Sequence, residues 1–283
     1  MKVGVDRRGR FASAGSTRVR GGSVERVWGQ AVPSSDVSYL TARAEPNLVE
    51  ISCKSINVAF MTKTSSTSSQ ESSGSQHIDF DALYRGESPG EGIAPVTTPP
   101  WDTKAPSESV IAWQTRGWVR GDVLDIGCGL GDNAIYLAKN GHTLTGLDIS
   151  PTALTTAQQR ARDAQVDVQF AVADSTKLDG YTDAFDTVID SGLFHSLDDD
   201  GRRSYAAAVH RATRPGATLL LSCFSDANPV GKEWRPAVSE ETLRDVLGGA
   251  GWDITSLEPA TVRGELDGAQ VEMAFWYLRA HRR

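Results

Sequence analysis

The chain is short of everything that would tie it to a membrane, a metal or a disulfide scaffold. Among 283 residues there are three cysteines, Cys53, Cys128 and Cys223. That number cannot build a disulfide framework, no pair has the spacing of a zinc site, and a reducing cytoplasm is the expected location. No run approaches the ~20 apolar residues that span a bilayer. The basic residues near the N-terminus have no apolar segment behind them, so no secretory signal is expected. Basic charge is also in deficit. The net charge is −7, and its distribution is uneven: residues 1–60 hold nine Lys/Arg against five acids (+4), the rest 20 against 31 (−11). An acidic body is a poor surface for a phosphate backbone, so a nucleic-acid partner is not expected and a small molecule is.

The first 60 residues show no sustained helical or strand period, and residues 64–75 (TSSTSSQESSGS) are a Ser/Thr tract unable to bury a core. Residues 1–76 are therefore expected to be a disordered or non-native extension, with Met61 a plausible start, and 77–283 to be the folded domain. Residues 84–106 (YRGESPGEGIAPVTTPPWDTKAP) are rich in Gly and Pro and should form an irregular arm.

Beyond the arm, apolar runs at 122–126, 143–147, 166–173, 185–189 and 216–224 alternate with helical patterns. Ser150-Pro151 reads as an N-cap with proline at the first helical position, and Ser239 as a cap followed by two acids. Two last runs, 252–262 and 271–279, flank a polar turn. Together they predict an α/β protein: a doubly wound, Rossmann-like, seven-stranded and mostly parallel sheet closed by a C-terminal antiparallel hairpin.

Ligands of such sheets bind beyond the carboxyl ends of the strands. Asp125, Asp148, Asp174 and Asp190 fall on or just past four such ends. After the first strand the chain reads Asp125-Ile126-Gly127-Cys128-Gly129-Leu130-Gly131, a loop whose glycines permit a tight turn and close backbone approach to a ligand. The spacing is G-x-G-x-G, not the G-x-G-x-x-G of a dinucleotide site. An acid at the end of the second strand, Asp148, suits a ribose diol in either case. His195, after the fourth strand, is placed to act as a base or as a substrate-orienting donor. His142 and His210 fall on a strand start and a helix and read as structural, as does Trp118. Trp101 and Phe194 lie in loops at the presumed active end.

The glycine loop and the spaced acids resemble those of the class I S-adenosylmethionine-dependent methyltransferases over residues 80–283. Within that class, the arm with its Pro-Pro-Trp-Asp element is similar to thiopurine-methyltransferase-like enzymes, and to bacterial heterocyclic-toxin methyltransferases that act on hydroxyquinolone-type compounds. The resemblance implies S-adenosylmethionine as cofactor. It implies that Asp125, Gly127 and Gly129 face its methionine moiety, that Asp148 holds the ribose hydroxyls, and that Ile149 packs on adenine. It further implies that Asp174 and Ser175 meet the adenine amino edge, that Trp101 lies over the cofactor, and that Asp190 lies near the transferred methyl. His195 and Asp190 are the candidate catalytic residues, no metal is expected, and the acceptor is expected to be a small aromatic heterocycle handled by a monomer or homodimer.

Other readings are a methyltransferase for a quinone or phenol intermediate or a thiol, a nicotinamide-dependent oxidoreductase, a nucleic-acid methyltransferase, and a cofactor-sensing module. The chain lacks a helical Tyr-x-x-x-Lys pair, against the common short-chain oxidoreductase. It reads Asp190-Ser191-Gly192-Leu193 where an Asp-Pro-Pro-Tyr-type element would grip a flipped base.

Overall fold

The computed structural model describes residues 51–57, 78–228, 237–266 and 269–283. The Ser/Thr tract, Met61, His77 and Trp234 lie outside the described residues. Strands are β1 (Ile51–Asn57), β2 (Asp122–Ile126), β3 (Thr143–Asp148), β4 (Gln169–Val172), β5 (Phe185–Ser191), β6 (Thr213–Phe224), β7 (Trp252–Leu266) and β8 (Ala269–Arg282). Helices are α1 (Phe80–Tyr84), α2 (Glu108–Thr115), α3 (Asp132–Lys139), α4 (Pro151–Asp163), α5 (Asp199–Ala212) and α6 (Glu240–Gly249).

The strands form one sheet in the order β1-β7-β8-β6-β5-β2-β3-β4. Neighbours from β4 to β6 are parallel, and β8 runs antiparallel to both β6 and β7. The seven expected strands are all present. The eighth, β1, pairs parallel with β7 at Ile51↔Val262, Ser52↔Arg263 and Asn57↔Glu265, within a stretch where no element was expected. It joins the part of the β7–β8 hairpin that runs past the end of β6, since Phe224 of β6 already pairs with Phe275. Residues 214–216 are part of β6, which begins before the apolar run at 216–224. There Arg214 ties Asp122 to Asp186 at the starts of β2 and β5.

The strand direction of chain progress reverses between β2 and β5: from β2 the sheet continues through β3 to β4, while β5 and β6 lie on the other side. Apolar side chains cover both faces, which is why β6 reads as a continuous run rather than an alternating one. On one face Leu124, Val188, Leu219 and Leu221 pack with Tyr205, Val209, Leu243 and Leu247 of α5 and α6. On the other, Val123, Ile189 and Leu220 pack with Val110, Trp113, Ala134 and Leu137 of α2 and α3. Local chemistry sets the helix starts. Ser150 accepts from Ala153 N–H with Pro151 at the first helical position, Asp198 accepts from Gly201 N–H, and Ser239 accepts from Thr242 N–H.

Candidate active site

The crevice at the carboxyl ends of β2 and β5 is the switch point of this sheet, the place where an open α/β fold binds ligand. The loop from β2 bends back so that the N–H groups of Gly127 and Cys128 both donate to Leu147 O of β3, at 2.7 and 3.0 Å. Two glycines are required by what lies over them. A Cβ on Gly127, at φ 69°, would stand 2.5 Å from Leu193, and one on Gly129 would stand 2.8 Å from the Tyr84 hydroxyl. The loop is thus packed from above by the segment after β5 and by α1.

Asp148 ends β3 and is almost wholly buried. Its two carboxylate oxygens accept from Gly129 N–H (2.8 Å) and Ser150 N–H (2.9 Å), so its plane is held while each oxygen keeps acceptor capacity. Ile149 beside it is 58% exposed and Val172, at the end of β4, 59%. These are apolar side chains left open at the site. Asp125 lies inside β2, 1% exposed. It accepts from Ala134 N–H at the start of α3, and its Oδ2 has no partner among the described residues. Burial, with Asp148, Asp190 and Asp132 as its charged neighbours, pushes its carboxyl up to about 7.

Asp190 of β5 is fully buried. Its Oδ1 accepts from Leu193 N–H at 2.8 Å, the Tyr205 hydroxyl stands beside the carboxyl, and burial pushes it up to about 6. It therefore shapes the turn that follows β5 rather than facing the crevice. Asp174 is spent on its own turn: Oδ1 accepts from Thr176 N–H and Oγ1, and Oδ2 pairs with Lys177. His195 lies in the 3-10 turn Phe194–Ser196. Its Nδ1 accepts from Phe224 N–H at 3.3 Å, an arrangement that assigns the ring proton to Nε2. His142 instead bonds Gln114 at 2.7 Å, and His210 stands edge-on to Trp252.

Residues 85–107 form the irregular arm, which crosses this end of the sheet. Trp101 Nε1–H donates to the Tyr84 hydroxyl at 2.8 Å, and the Trp101 ring meets both Phe80 and Tyr84. Asp81 of α1 accepts from Ser150 Oγ (2.6 Å) and Thr152 N–H (3.0 Å). At the end of the arm, Ser107 Oγ lies 3.0 Å from Ser191 Oγ, and Asn133 Oδ1 accepts from Ser107 N–H. Sequence reasoning brought Asp125, Gly127, Gly129, Asp148, Ile149 and Trp101 to this crevice. It passed over Asp81, Asp102, Asn133, Ser107 and Ser191, whose types are common at helix starts and loops and whose partners lie 26 to 84 residues away.

A family model described as a methyltransferase domain matches residues 123–216. A 2-heptyl-1-hydroxyquinolin-4(1H)-one methyltransferase of Mycobacteroides abscessus is 36% identical over 222 residues, covering 72% of this chain and 96% of that protein. The chain belongs to the class I S-adenosylmethionine-dependent methyltransferases. A solved structure described under the conversion of a disulfide bond into a thioacetal group during echinomycin biosynthesis superposes with a TM-score of 0.63. It is 38% identical and covers 72% of this chain and 91% of that one. A methyltransferase structure from Methanosarcina mazei shares the fold, with a TM-score of 0.52 at 21% identity, over 60% of this chain and 96% of that one.

Proposed function

We propose that this methyltransferase takes its methyl group from S-adenosylmethionine and transfers it to a hydroxyl oxygen, or a ring nitrogen, of a small aromatic heterocycle of the hydroxyquinolone kind. The observation that carries the cofactor assignment is the charge of the crevice. Asp125 and Asp148 converge there, and the charged neighbours of Asp125, Asp190 behind the sheet included, are all acidic. Such a well favours a ligand that brings positive charge, as a sulfonium with an ammonium does. Similarity to the hydroxyquinolone methyltransferase supports the acceptor class. Capping the acceptor hydroxyl lowers its polarity, which suits detoxification or secondary metabolism.

In this reading Asp148 holds the ribose hydroxyls, and Ile149 and Val172 offer the apolar contact for adenine. Asp125, Gly127 and Gly129 bound the methionine end, with the segment around Asp174 and Ser175 at the adenine edge. When bound, S-adenosylmethionine supplies a methyl already activated on sulfur. The protein has then to align the acceptor in line with that methyl and keep water out. Trp101, Tyr84 and Phe80 cover the site. Asp190 is a positioning residue: by accepting from Leu193 N–H it sets the turn that presents His195. His195, whose Nδ1 accepts from Phe224 N–H, stands at the end of that turn and is the residue that orients the acceptor oxygen.

A second reading, transfer to sulfur, is favoured by the equal similarity to the structure from echinomycin biosynthesis. A panel of hydroxyquinolones, phenols, thiols and disulfides, assayed with labelled S-adenosylmethionine, separates the two. Turnover led by the N-hydroxy and hydroxy heterocycles is expected. A preference for sulfur acceptors would replace the first reading with the second, and no transfer to any aromatic would overturn it.

A further inference from the structure

The sheet itself indicates where the acceptor lies. Opposed residues of neighbouring strands share a face, and the register links Ser191 of β5 to Ser222 of β6, and Ser222 to Tyr277 of β8. Ser191 bonds Ser107 at the start of α2, so this row lies on the α2 side, the side crossed by the arm. Asp190 points the opposite way, to Tyr205 of α5. The next row towards the active end is the pair Phe224 and Phe275.

Those two rings stand 4.6 Å apart between centroids, and Phe224 stands 4.5 Å from the His195 ring. All three are half-buried. Below the row, Trp113 of α2 meets Tyr277 edge-on at 6.2 Å. The row is continuous with the site already described: Gly192 N–H donates to Ser222 O, and His195 is five residues beyond Asp190. Half of it comes from β8, which the glycine loop and the acids do not contain.

Building on the reading above, we infer that Phe224 and Phe275, with His195 at their end, form the shelf that binds a flat bicyclic acceptor, and that the C-terminal hairpin thereby sets acceptor specificity. Aromatic faces pack ring against ring, and the His195 ring closes the end of the row. Phe275 selects for acceptor size and flatness. The cofactor does not depend on it.

The experiment compares Phe275→Leu, Phe275→Tyr and Phe224→Leu with the unaltered protein. It uses a hydroxyquinolone and a monocyclic phenol as acceptors and calorimetric titration of S-adenosylmethionine as the independent readout. Leucine keeps apolar volume but removes the ring face. Phe275→Leu and Phe224→Leu should raise KM for the bicyclic acceptor about fivefold to tenfold, from the loss of a ring–ring contact. Phe275→Leu should leave kcat within twofold, and both variants should leave cofactor affinity within twofold and change the phenol's KM less. Phe275→Tyr should restore the bicyclic KM. Leucine variants with unchanged bicyclic KM would overturn the shelf while leaving the methyltransferase reading standing, as would equal losses for both acceptors. An unaltered protein that binds the cofactor but methylates no aromatic would overturn both.

Discussion

Arg160 of α4 holds Asp102 of the arm with one end of its guanidinium, its Nη2 lying 2.9 and 3.0 Å from the two carboxylate oxygens. Its Nη1 lies 3.1 Å from both oxygens of Asp132 at the start of α3. The arm residue that follows Trp101 is therefore clamped to the same two helices whose N-termini face the crevice. The Asp102 side chain is only 8% exposed, so it depends on this partner.

Arg160→Ala should loosen the arm, costing about 1–3 kcal/mol for the lost charge-assisted contacts. Proteolysis within residues 85–107 should quicken and S-adenosylmethionine affinity should fall several-fold. Arg160→Lys should recover little, because an ammonium cannot bridge two carboxylates in the same planar geometry. Protease sensitivity and affinity both unchanged in Arg160→Ala would remove the clamp.

Asp148→Ala should weaken S-adenosylmethionine binding at least tenfold, each charge-assisted hydrogen bond being worth on the order of 1.5–3 kcal/mol. Calorimetric titration alongside far-ultraviolet circular dichroism checks this. Unchanged affinity in a folded variant, or tight binding of NAD by the unaltered protein, would contradict the cofactor assignment.

The pH dependence of stability follows from the buried acids. Asp125 and Asp190 are pushed up to about 7 and about 6 from an unfolded value of 3.8. Between about pH 4 and 7 the native state therefore binds more protons than the unfolded chain, so stability falls as pH rises through that window. At about 1.4 kcal/mol per pKa unit, the loss between pH 5 and pH 8 is on the order of 4 kcal/mol. The thermal transition of the ligand-free protein should drop from pH 5 to pH 8, and Asp125→Asn should flatten the slope. A positive cofactor favours the ionised carboxylates, so its affinity should rise over the same range. A transition temperature that climbs across this window would refute the argument.

His195→Ala should lower kcat about fivefold to tenfold with acceptors of any pKa, since an orienting donor is lost in every case. Kinetics across a series of phenols and hydroxy heterocycles provide the check. A loss confined to acceptors that arrive protonated would assign His195 the role of general base.

A chain beginning at Met61 lacks β1, which pairs with β7 over a short ladder. Its thermal transition should move by no more than a few degrees, roughly the equivalent of 1 kcal/mol, and it should bind S-adenosylmethionine normally. Loss of a cooperative transition would make residues 1–60 part of the domain.

The order and type of the elements from Asp122 onward were legible in the sequence because each rests on local chemistry. The caps at Ser150 and Ser239, the proline at 151 and the two-sided apolar run of β6 all act within a few residues of themselves. The glycine loop was legible for the same reason, since Gly127 and Gly129 answer to backbone geometry as well as to what packs on them. The short ladder of β1 had no such mark, because pairing at a sheet edge is decided by the partner strand. Nor did the directions of the acids. Asp148 and Asp190 look alike at strand ends, yet neighbouring positions on a strand face opposite sides. Register thus turns Asp190 to Tyr205 and Ser191 to Ser107. The proton of His195 is placed by Phe224, 29 residues on, and the ring pair Phe224–Phe275 joins strands 51 residues apart. Residue types and spacing determined the class of fold and the place of the crevice at the carboxyl ends of β2 and β5. Which carboxylates stay buried, what fastens the arm, and which rings pair at the end of β6 were decided by contacts between distant segments, which exist only once the sheet has closed.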